Sequence, residues 1–189
     1  MTLYPAVLFA HVVSALGIVA ALSLEAVALM RLRRATSASE ARLWLEFAPG
    51  LPALTMASFL LMLVSGIFLT TQMSGWMLAW PRVAMGALIL IGPLGAAAGR
   101  RMRAIRLACG ARSPNESDLI AKVRDPFLKF SVNIRIAVVI GIVLLMTAKP
   151  GLRQSLGIVV SSVFVGWVST IPFWRRDSAS AIARADSRQ

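Results

Sequence analysis

Five long apolar segments limit the folds that this chain can adopt more than any other feature of its sequence. A helix needs about 20 predominantly apolar residues to cross the hydrocarbon core of a bilayer, and each segment reaches that length. The sequence therefore predicts an all-α, polytopic membrane bundle with five transmembrane helices, in a single domain over residues 1–176. The five predicted spans cover about residues 5–30, 51–73, 77–99, 127–148 and 155–174.

The overall composition agrees with a chain whose surface faces lipid. Of 189 residues, 58% are hydrophobic and 15% are charged, whereas soluble domains reach about 45–50% apolar residues even when glycine is included. The sequence also contains no P-loop, HExxH, GxSxG or dinucleotide-binding fingerprint. These features argue against a soluble enzyme and favour a non-enzymatic membrane protein, so no catalytic residue is predicted.

The basic residues lie mainly in the connections on one side of the predicted membrane. Positive charge accumulates on the cytoplasmic side of membrane proteins, which predicts an N-terminus outside and a C-terminus inside a bacterial inner (plasma) membrane. The net charge of +12 therefore needs no nucleic-acid partner, because the charges flank apolar runs and build no phosphate-binding groove. Lys149 and Arg153 lie on the other side, with Arg82 at its edge. Sixteen basic residues share the inner side: Arg31, Arg33, Arg34, Arg42, Arg100, Arg101, Arg103, Arg106, Arg112, Lys122, Arg124, Lys129, Arg175, Arg176, Arg184 and Arg188.

Cap and breaker residues support the predicted boundaries. Asp125 followed by Pro126 is an N-cap with proline at the first helical position of the fourth span. The same span is expected to end at residues 149–151, which read Lys-Pro-Gly. The third span is expected to end at Gly99, and Pro93 is expected to kink it.

A short amphipathic helix is predicted between the first two spans. Ser37 and Glu40 form a capping box, and Trp44 and Leu45 share an apolar face in the turns that follow. Helices of this kind lie in the membrane interface with the apolar face inward. This segment is therefore expected to lie along the inner headgroups.

Two further cytoplasmic pieces are predicted. Residues 113–116 read Ser-Pro-Asn-Glu, a second capping box that is expected to open a helix over about 117–124. Residues 177–189 are small and polar, a composition that does not support a packed core. They are predicted to form a disordered cytoplasmic tail.

Three ionisable side chains fall inside the predicted spans: His11, Glu25 and Arg135. Such residues cost about 2.5–3.5 kcal/mol on insertion scales and are candidates for function by default. Glu25 lies six residues before Arg31, and Arg135 lies six residues after Lys129. A rise of about 1.5 Å per residue places both side chains about 9 Å from the inner margin. An ion pair between the first and fourth spans is therefore geometrically possible.

The pair has three interpretations, which the sequence leaves open. It can lock two helices together, it can relay protons or substrate through Glu25, or the two side chains can snorkel separately to the interface. Asn133, close to Arg135 in sequence, is a candidate for an interhelical hydrogen bond worth about 0.6 kcal/mol on average. The leading prediction is a small transport or accessory protein whose polar interior is built on Glu25, Arg135 and His11.

His11 lies seven residues after Tyr4, about 10 Å below the outer edge. One interpretation is a neutral histidine hydrogen-bonded to a neighbouring helix, and the other is a metal ligand, a haem ligand or a protonatable site. The chain has one histidine and one cysteine, Cys109, so a single copy cannot provide bis-histidine ligation. No cofactor is therefore predicted, and the alternative function is a metal- or haem-dependent redox component that uses His11 in an oligomer.

Methionine provides a second route to metal binding. Met73 and Met77 lie four residues apart near the outer loop, and Met56 and Met62 lie deeper in the second span. Thioethers bind Cu(I), so a copper site on the outer side is one interpretation. The other is the ordinary role of methionine as adaptable packing material.

Small residues recur at helical spacing in two of the spans. Gly95 and Gly99 form a GxxxG pattern in the third span, and Ser162, Gly166 and Thr170 recur every four residues in the fifth. Small residues let membrane helices approach each other closely. They can join helices within one chain or join two copies, so a homo-oligomer is an open possibility beside the lipid bilayer itself.

Four short motifs stand out along the chain: LFAHVVSALG at 8–17, GWMLAW at 75–80, GRRM at 99–102 and LMTAKP at 145–150. Together they resemble a family of small bacterial integral membrane proteins of unknown function. The resemblance implies an all-helical inner-membrane protein and no catalytic activity. His11 in the first span is also similar to the histidine of copper-resistance inner-membrane proteins and haem-linked membrane oxidases, which depend on further histidines that this chain lacks.

Overall fold

Six α-helices and one 3₁₀ turn make up the part of the chain that the computed structural model describes, and no β-strand occurs in that part. The described residues are 3–35, 38–46, 50–109, 123 and 125–171. Between α3 and α4, a 3₁₀ turn covers Gly75–Met77. The helices are α1 (Tyr4–Arg34), α2 (Ala38–Glu46), α3 (Leu51–Gln72), α4 (Ala79–Cys109), α5 (Pro126–Ala148) and α6 (Leu152–Val168).

Four of these helices, α1, α3, α4 and α5, are long and apolar enough to cross a membrane. Helix α6 is also apolar but has 17 residues, which at about 1.5 Å per residue span about 26 Å. It begins three residues before the predicted fifth span, 155–174, and ends at Val168. The described part of the chain therefore forms an all-helical bundle with four candidate membrane-spanning helices.

Helix boundaries agree with the predicted spans where turn residues define them and differ where charges do. Helix α3 ends at Gln72 and α5 covers Pro126–Ala148, close to the predictions. In contrast, α1 continues to Arg34 and α4 continues ten residues beyond Gly99 to Cys109. Arginine has high helix propensity, so a charge that ends an apolar run does not end the helix. Helix α4 also remains helical through Pro93.

The two ends of α5 are capped as the sequence predicts. The Asp125 side chain accepts a hydrogen bond from the backbone N–H of Phe127 at 2.9 Å. At the other end, Lys149 adopts the left-handed conformation, with φ 47° and ψ 50°, which terminates the helix. Asp125 also forms an ion pair with Arg101 of α4, and this contact joins the end of α4 to the start of α5.

Helix α5 occupies the centre of the bundle. It packs against α1, α4 and α6, while α3 packs mainly against the outer side of α1. One apolar cluster lies around Leu22, Leu88 and Val138, and the other lies around Leu32, Ile105 and Leu128. The second cluster lies at the end where α1 and α4 terminate and α5 begins, which we call the arginine-rich end. The opposite end of the bundle, where α3 and α5 terminate, we call the cavity end.

Helix α2 packs onto the bundle at the arginine-rich end. Leu45 is only 4% exposed and belongs to the apolar cluster with Leu32 and Ile105. Trp44 lies under the Arg31 guanidinium, 5.5 Å from ring centroid to Cζ. The predicted amphipathic helix is therefore present, but its apolar side chain Leu45 contacts α1 and α4. The expectation that the helix lies along the inner headgroups stays a prediction, while Leu45 itself covers the neighbouring helix ends.

Small residues bring α5 and α6 into close contact within one chain. A Cβ atom added at Gly166 would lie 2.9 Å from the Ile134 Cα atom of α5. A Cβ atom added at Gly141 of α5 would overlap the Ser162 hydroxyl. Gly166 and Ser162 of the predicted small-residue series therefore serve this intramolecular contact. In the GxxxG pattern of α4, a Cβ atom at Gly99 would meet only open space.

Several predictions concern residues outside the described part of the chain. The second capping box at 113–116 lies there, as does the helix expected over 117–124 except for Val123. The predicted cytoplasmic tail, 177–189, and the final residues of the predicted fifth span lie there as well. The capping residue Ser37 before α2 is also outside.

Candidate functional site

The polar residues inside the bundle form two separate groups. Glu25 and Arg135 lie in the half of the bundle nearer the arginine-rich end, and His11 lies nearer the cavity end. The groups differ in what surrounds them. Neither of the two cavities described below is lined by Glu25 or Arg135, whereas His11 lines one of them.

The hypothesised ion pair between α1 and α5 is present. Arg135 Nη2 donates to Glu25 Oε1 at 2.6 Å, and Arg135 Nε donates to the Ser131 carbonyl at 3.3 Å. The Arg135 side chain is 5% exposed and that of Glu25 is 22% exposed. A charge-assisted hydrogen bond compensates the removal of these charges from water. The pair thus connects two helices that lie far apart in sequence.

Helix α4 forms the third wall around the Arg135 guanidinium. A Cβ atom added at Gly95 would lie 3.4 Å from Arg135 Nη1 and 3.5 Å from Cδ, so the arginine side chain passes directly over this glycine. Ser131 adds a second contact between the helices, since its hydroxyl donates to the Leu94 carbonyl at 3.1 Å. The ion pair is therefore enclosed by α1, α4 and α5, and this arrangement holds the three helices together.

Asn133 lies on a different face of α5 from Arg135. Its Nδ2 atom donates to the backbone carbonyl of Ser169, just after α6, at 3.4 Å. Asn133 also lines a shallow groove of about 690 Å³ between α5 and α6, together with Ser161 and Gly157. The predicted interhelical hydrogen bond is present, but it serves the contact with α6 and is separate from the ion pair.

His11 is hydrogen-bonded to α3, and its partner there indicates which ring nitrogen carries the proton. Its Nδ1 atom lies 2.9 Å from the Ser65 hydroxyl oxygen. That hydroxyl has a single proton, which points to carbonyl oxygens of its own helix, those of Leu61 at 2.5 Å and Met62 at 3.2 Å. Ser65 therefore accepts the bond from His11, so Nδ1 carries the proton and Nε2 carries a lone pair. No hydrogen bond from the described residues engages that lone pair.

A cavity of about 210 Å³ lies beside His11 at the cavity end of the bundle. Its walls come from the start of α1, the end of α3, the start of α4 and the end of α5. Most of the lining is apolar, and of the described residues that line it, Lys149 alone carries a charge. The lining includes Tyr4, Leu8, His11, Met62, Gly66, Thr70, Met73, Trp80, Ala84, Met85, Leu88, Ile142, Met146 and Lys149.

The cavity brings together several side chains with nitrogen, oxygen or sulfur atoms. It contains the single histidine, the single tyrosine and four of the nine methionines. The Tyr4 hydroxyl donates to Met73 Sδ at 3.9 Å, and the Ser14 hydroxyl lies 3.5 Å from Met62 Sδ. Polar groups on α1 therefore contact two of the four thioethers.

The predictions about methionine are correct in part. Met62 and Met73 line the cavity, but Met56 and Met77 are 55% and 88% exposed and lie outside it. Sequence reasoning missed Met85 and Met146, which complete the lining from α4 and α5. Spacing within one helix could not reveal them, because the packing of different helices brings them to the cavity that His11 also lines.

Ser65 was also missed, although it determines the proton position on His11. A signal was present in the sequence, since Ser58 and Ser65 lie seven residues apart in the mainly apolar middle of α3. That spacing places them on one face of α3, and both are buried against α1. Buried serines in membrane helices commonly bond to backbone carbonyls one turn earlier, as Ser65 does.

Comparison with known proteins identifies no relative: no protein family, no curated protein and no solved structure matches this chain. Within the described residues, no three His, Cys, Asp or Glu side chains come together in a way that could hold a metal ion. The interpretation of both polar groups therefore depends on their own geometry and chemistry.

Proposed function

We propose that this chain is a bacterial inner-membrane protein with five spans that binds a small ligand in the cavity at its outer end. It serves transport or an accessory role and catalyses no reaction, as the family of small membrane proteins that its motifs resemble implies. Its N-terminus lies outside and its C-terminus lies in the cytoplasm. The single observation that carries this proposal is the cavity beside His11, opposite the arginine-rich end.

The charge distribution over the bundle supports this orientation. Arg31, Arg33 and Arg34 end α1, and Arg100 to Arg106 lie in the last turns of α4. Both helix ends belong to the arginine-rich end, which the positive-inside rule assigns to the cytoplasm. The cavity end then faces outward. An N-terminus outside and a basic C-terminal tail inside require an odd number of spans.

Helix α6 supplies the fifth span in this proposal. Its 17 residues, Leu152–Val168, are apolar, and a helix slightly shorter than the hydrocarbon core is accommodated by local thinning of the bilayer. The helix packs along α5 through Gly166 and Gly141, so it lies alongside a helix that is itself long enough to cross the membrane.

The size of the cavity favours a small ligand. Pockets for drug-sized molecules have volumes of about 300–1,000 Å³, whereas this cavity has about 210 Å³. A volume below that range argues against haem, which is larger than most such ligands. The ion pair of Glu25 and Arg135 lines neither described cavity, so in this proposal it stabilises the bundle and does not contact the ligand.

Accessibility of single cysteines tests whether the cavity is open to external water. In a Cys109→Ser background, Leu88→Cys places a thiol in the cavity wall, and Ile89→Cys places one on the adjacent exposed face of α4. Right-side-out cells are treated with a membrane-impermeant sulfonatoethyl methanethiosulfonate. We expect Leu88→Cys to react about tenfold faster or more, because thiolate is the reactive form and lipid suppresses it.

The two variants are matched in depth, since they are neighbours on one helix. Equal reaction rates would contradict the proposal, because a cavity closed to external water would leave both thiols unreactive. A faster reaction at Ile89→Cys would contradict it as well, since that outcome would place the aqueous surface on the opposite face of α4.

A further inference from the structure

We infer that the cavity beside His11 binds a soft monovalent metal ion, Cu(I). This inference rests on the proposed outward-facing cavity and names the chemical class of its ligand. The donor atoms come from four helices: His11 from α1, Met62 and Met73 from α3, Met85 from α4 and Met146 from α5. None of them is close in sequence to a donor from another helix, so the set exists only in the folded bundle.

The chemistry of the donors selects the metal. Thioether sulfur is a soft ligand that favours Cu(I), and imidazole also binds copper. All five donors are neutral, so they do not compensate the charge of an ion that enters the bilayer. The solvation cost of an ion scales with the square of its charge, so a monovalent ion costs about one quarter as much as a divalent ion of equal size. A neutral, sulfur-rich site therefore fits Cu(I) and not Zn²⁺ or Mg²⁺.

The hydrogen bonding of the His11 ring is compatible with a role as a metal ligand. Its Nδ1–H donates to Ser65, which leaves the Nε2 lone pair for coordination. Histidine ligands usually donate their second ring N–H to a neighbouring acceptor, which fixes the tautomer and the ring orientation. Ser65 performs that role here, and it is itself held by its bond to the Leu61 carbonyl.

Ordinary packing does not account for the methionines. Flexible methionine side chains normally fill irregular gaps in a core, but here four of them line one cavity of about 210 Å³. Two of them lie beside hydroxyl groups of α1: the Tyr4 hydroxyl donates to Met73 Sδ at 3.9 Å, and the Ser14 hydroxyl, which donates to the His11 carbonyl, lies 3.5 Å from Met62 Sδ. A space of this size holds an ion and several water molecules.

Cu(I) binding to the purified protein tests the inference. The protein is prepared in detergent as Cys109→Ser, which removes the only thiol, and is titrated anaerobically with Cu(I) against a colorimetric chelator. We expect one Cu(I) per chain. X-ray absorption of the complex should show sulfur and nitrogen ligands, and the nitrogen contribution should disappear in His11→Gln.

Matched double variants separate the cavity from methionine in general. Met85→Leu with Met146→Leu removes two cavity thioethers, and Met56→Leu with Met77→Leu removes two exposed ones. Leucine conserves the volume of methionine, so both proteins should fold. The cavity pair should weaken Cu(I) binding by about tenfold or more, at least the loss seen when an outer partner of a metal ligand is removed. Equal affinity of the two double variants would overturn the inference.

The charge of Lys149 allows a test of whether the ligand of the cavity is a cation or an anion. Its positive charge at the cavity opposes a metal ion and would attract an anion. Lys149→Asn removes the charge while keeping a residue that tolerates the left-handed conformation. Cu(I) affinity should rise in this variant, and a fall would contradict a cation site.

The two proposals fail in different ways. If the Cys109→Ser protein binds no Cu(I) while Leu88→Cys still reacts rapidly from outside, the copper assignment is wrong and the outward-facing cavity stands. If Leu88→Cys does not react faster than Ile89→Cys, the proposed function is wrong, whatever the purified protein binds.

Discussion

Individual polar residues in this bundle are held by specific partners on other helices. Arg135 is almost fully buried, yet it contacts Glu25 of α1, the Ser131 carbonyl and the face of Gly95. Position along the helices was enough to suggest the contact with Glu25, because Glu25 lies six residues before Arg31 and Arg135 lies six residues after Lys129. Gly95 could not be assigned to this contact from sequence, since its GxxxG pattern suggested contact between helix backbones.

A double-mutant cycle measures how strongly the pair is coupled. Glu25→Gln leaves a permanently charged guanidinium buried without its partner, a change that costs about 3–5 kcal/mol in buried pairs. Arg135→Gln should cost less, because the Glu25 side chain that it leaves without a partner is 22% exposed, whereas that of Arg135 is 5% exposed. Thermal unfolding in detergent should show the double variant no less stable than Glu25→Gln. Additive losses would show that the two side chains act independently.

Helices α5 and α6 pack against each other through small residues that the sequence pattern identified, and this contact lies within one chain. Gly166 of α6 lies against the backbone of Ile134 in α5, while Gly157 of the same helix faces open space. The sequence could not choose between an intramolecular contact and a contact between two copies, because spacing gives the face of a helix and not its neighbour. For α2, too, the spacing of apolar residues predicted an apolar face but not its neighbours, which for Leu45 are the ends of α1 and α4.

Alanine at the two glycines of α6 tests this packing. Gly166→Ala would place a methyl group 2.9 Å from the Ile134 Cα atom, so α5 and α6 must separate, and overpacking of this kind costs about 1–3 kcal/mol. Gly157→Ala meets no atom within 4 Å and should leave stability unchanged or slightly raised, because alanine favours helix. Thermal unfolding of both variants in one detergent provides the comparison. Similar unfolding temperatures would contradict the close contact.

At the scale of the whole molecule, the two ends of the bundle carry different kinds of side chain. The arginine-rich end carries the basic side chains and α2, and the cavity end carries His11 and the methionines. The ion pair lies between them and joins α1 to α5. In the proposed orientation, the ligand site is reached from outside the cell while the charged surface faces the cytoplasm.

The single cysteine gives a direct test of this orientation. Cys109 ends α4 at the arginine-rich end, so it should react with an impermeant thiol reagent only after the membrane is permeabilised. In a Cys109→Ser background, Leu78→Cys at the opposite end should react in intact cells, since a thiol in water ionises and one shielded by the membrane is not reached. Mass spectrometry of the labelled chains reads both sites. Reaction of Cys109 in intact cells would reverse the proposed topology.

The sequence by itself determined the helical class, the approximate extent of four candidate spans, the caps of α5 and the equal depth of Glu25 and Arg135. Each of these follows from neighbouring residues, because apolar run length, cap chemistry and helical rise are local properties. Only the tertiary structure decided which helices touch. In the folded bundle, Met85 and Met146 line the same cavity as His11. Gly95 lies against the Arg135 side chain, and Leu45 is buried in an apolar cluster. Those contacts join residues far apart in the chain, and their geometry depends on how whole helices pack.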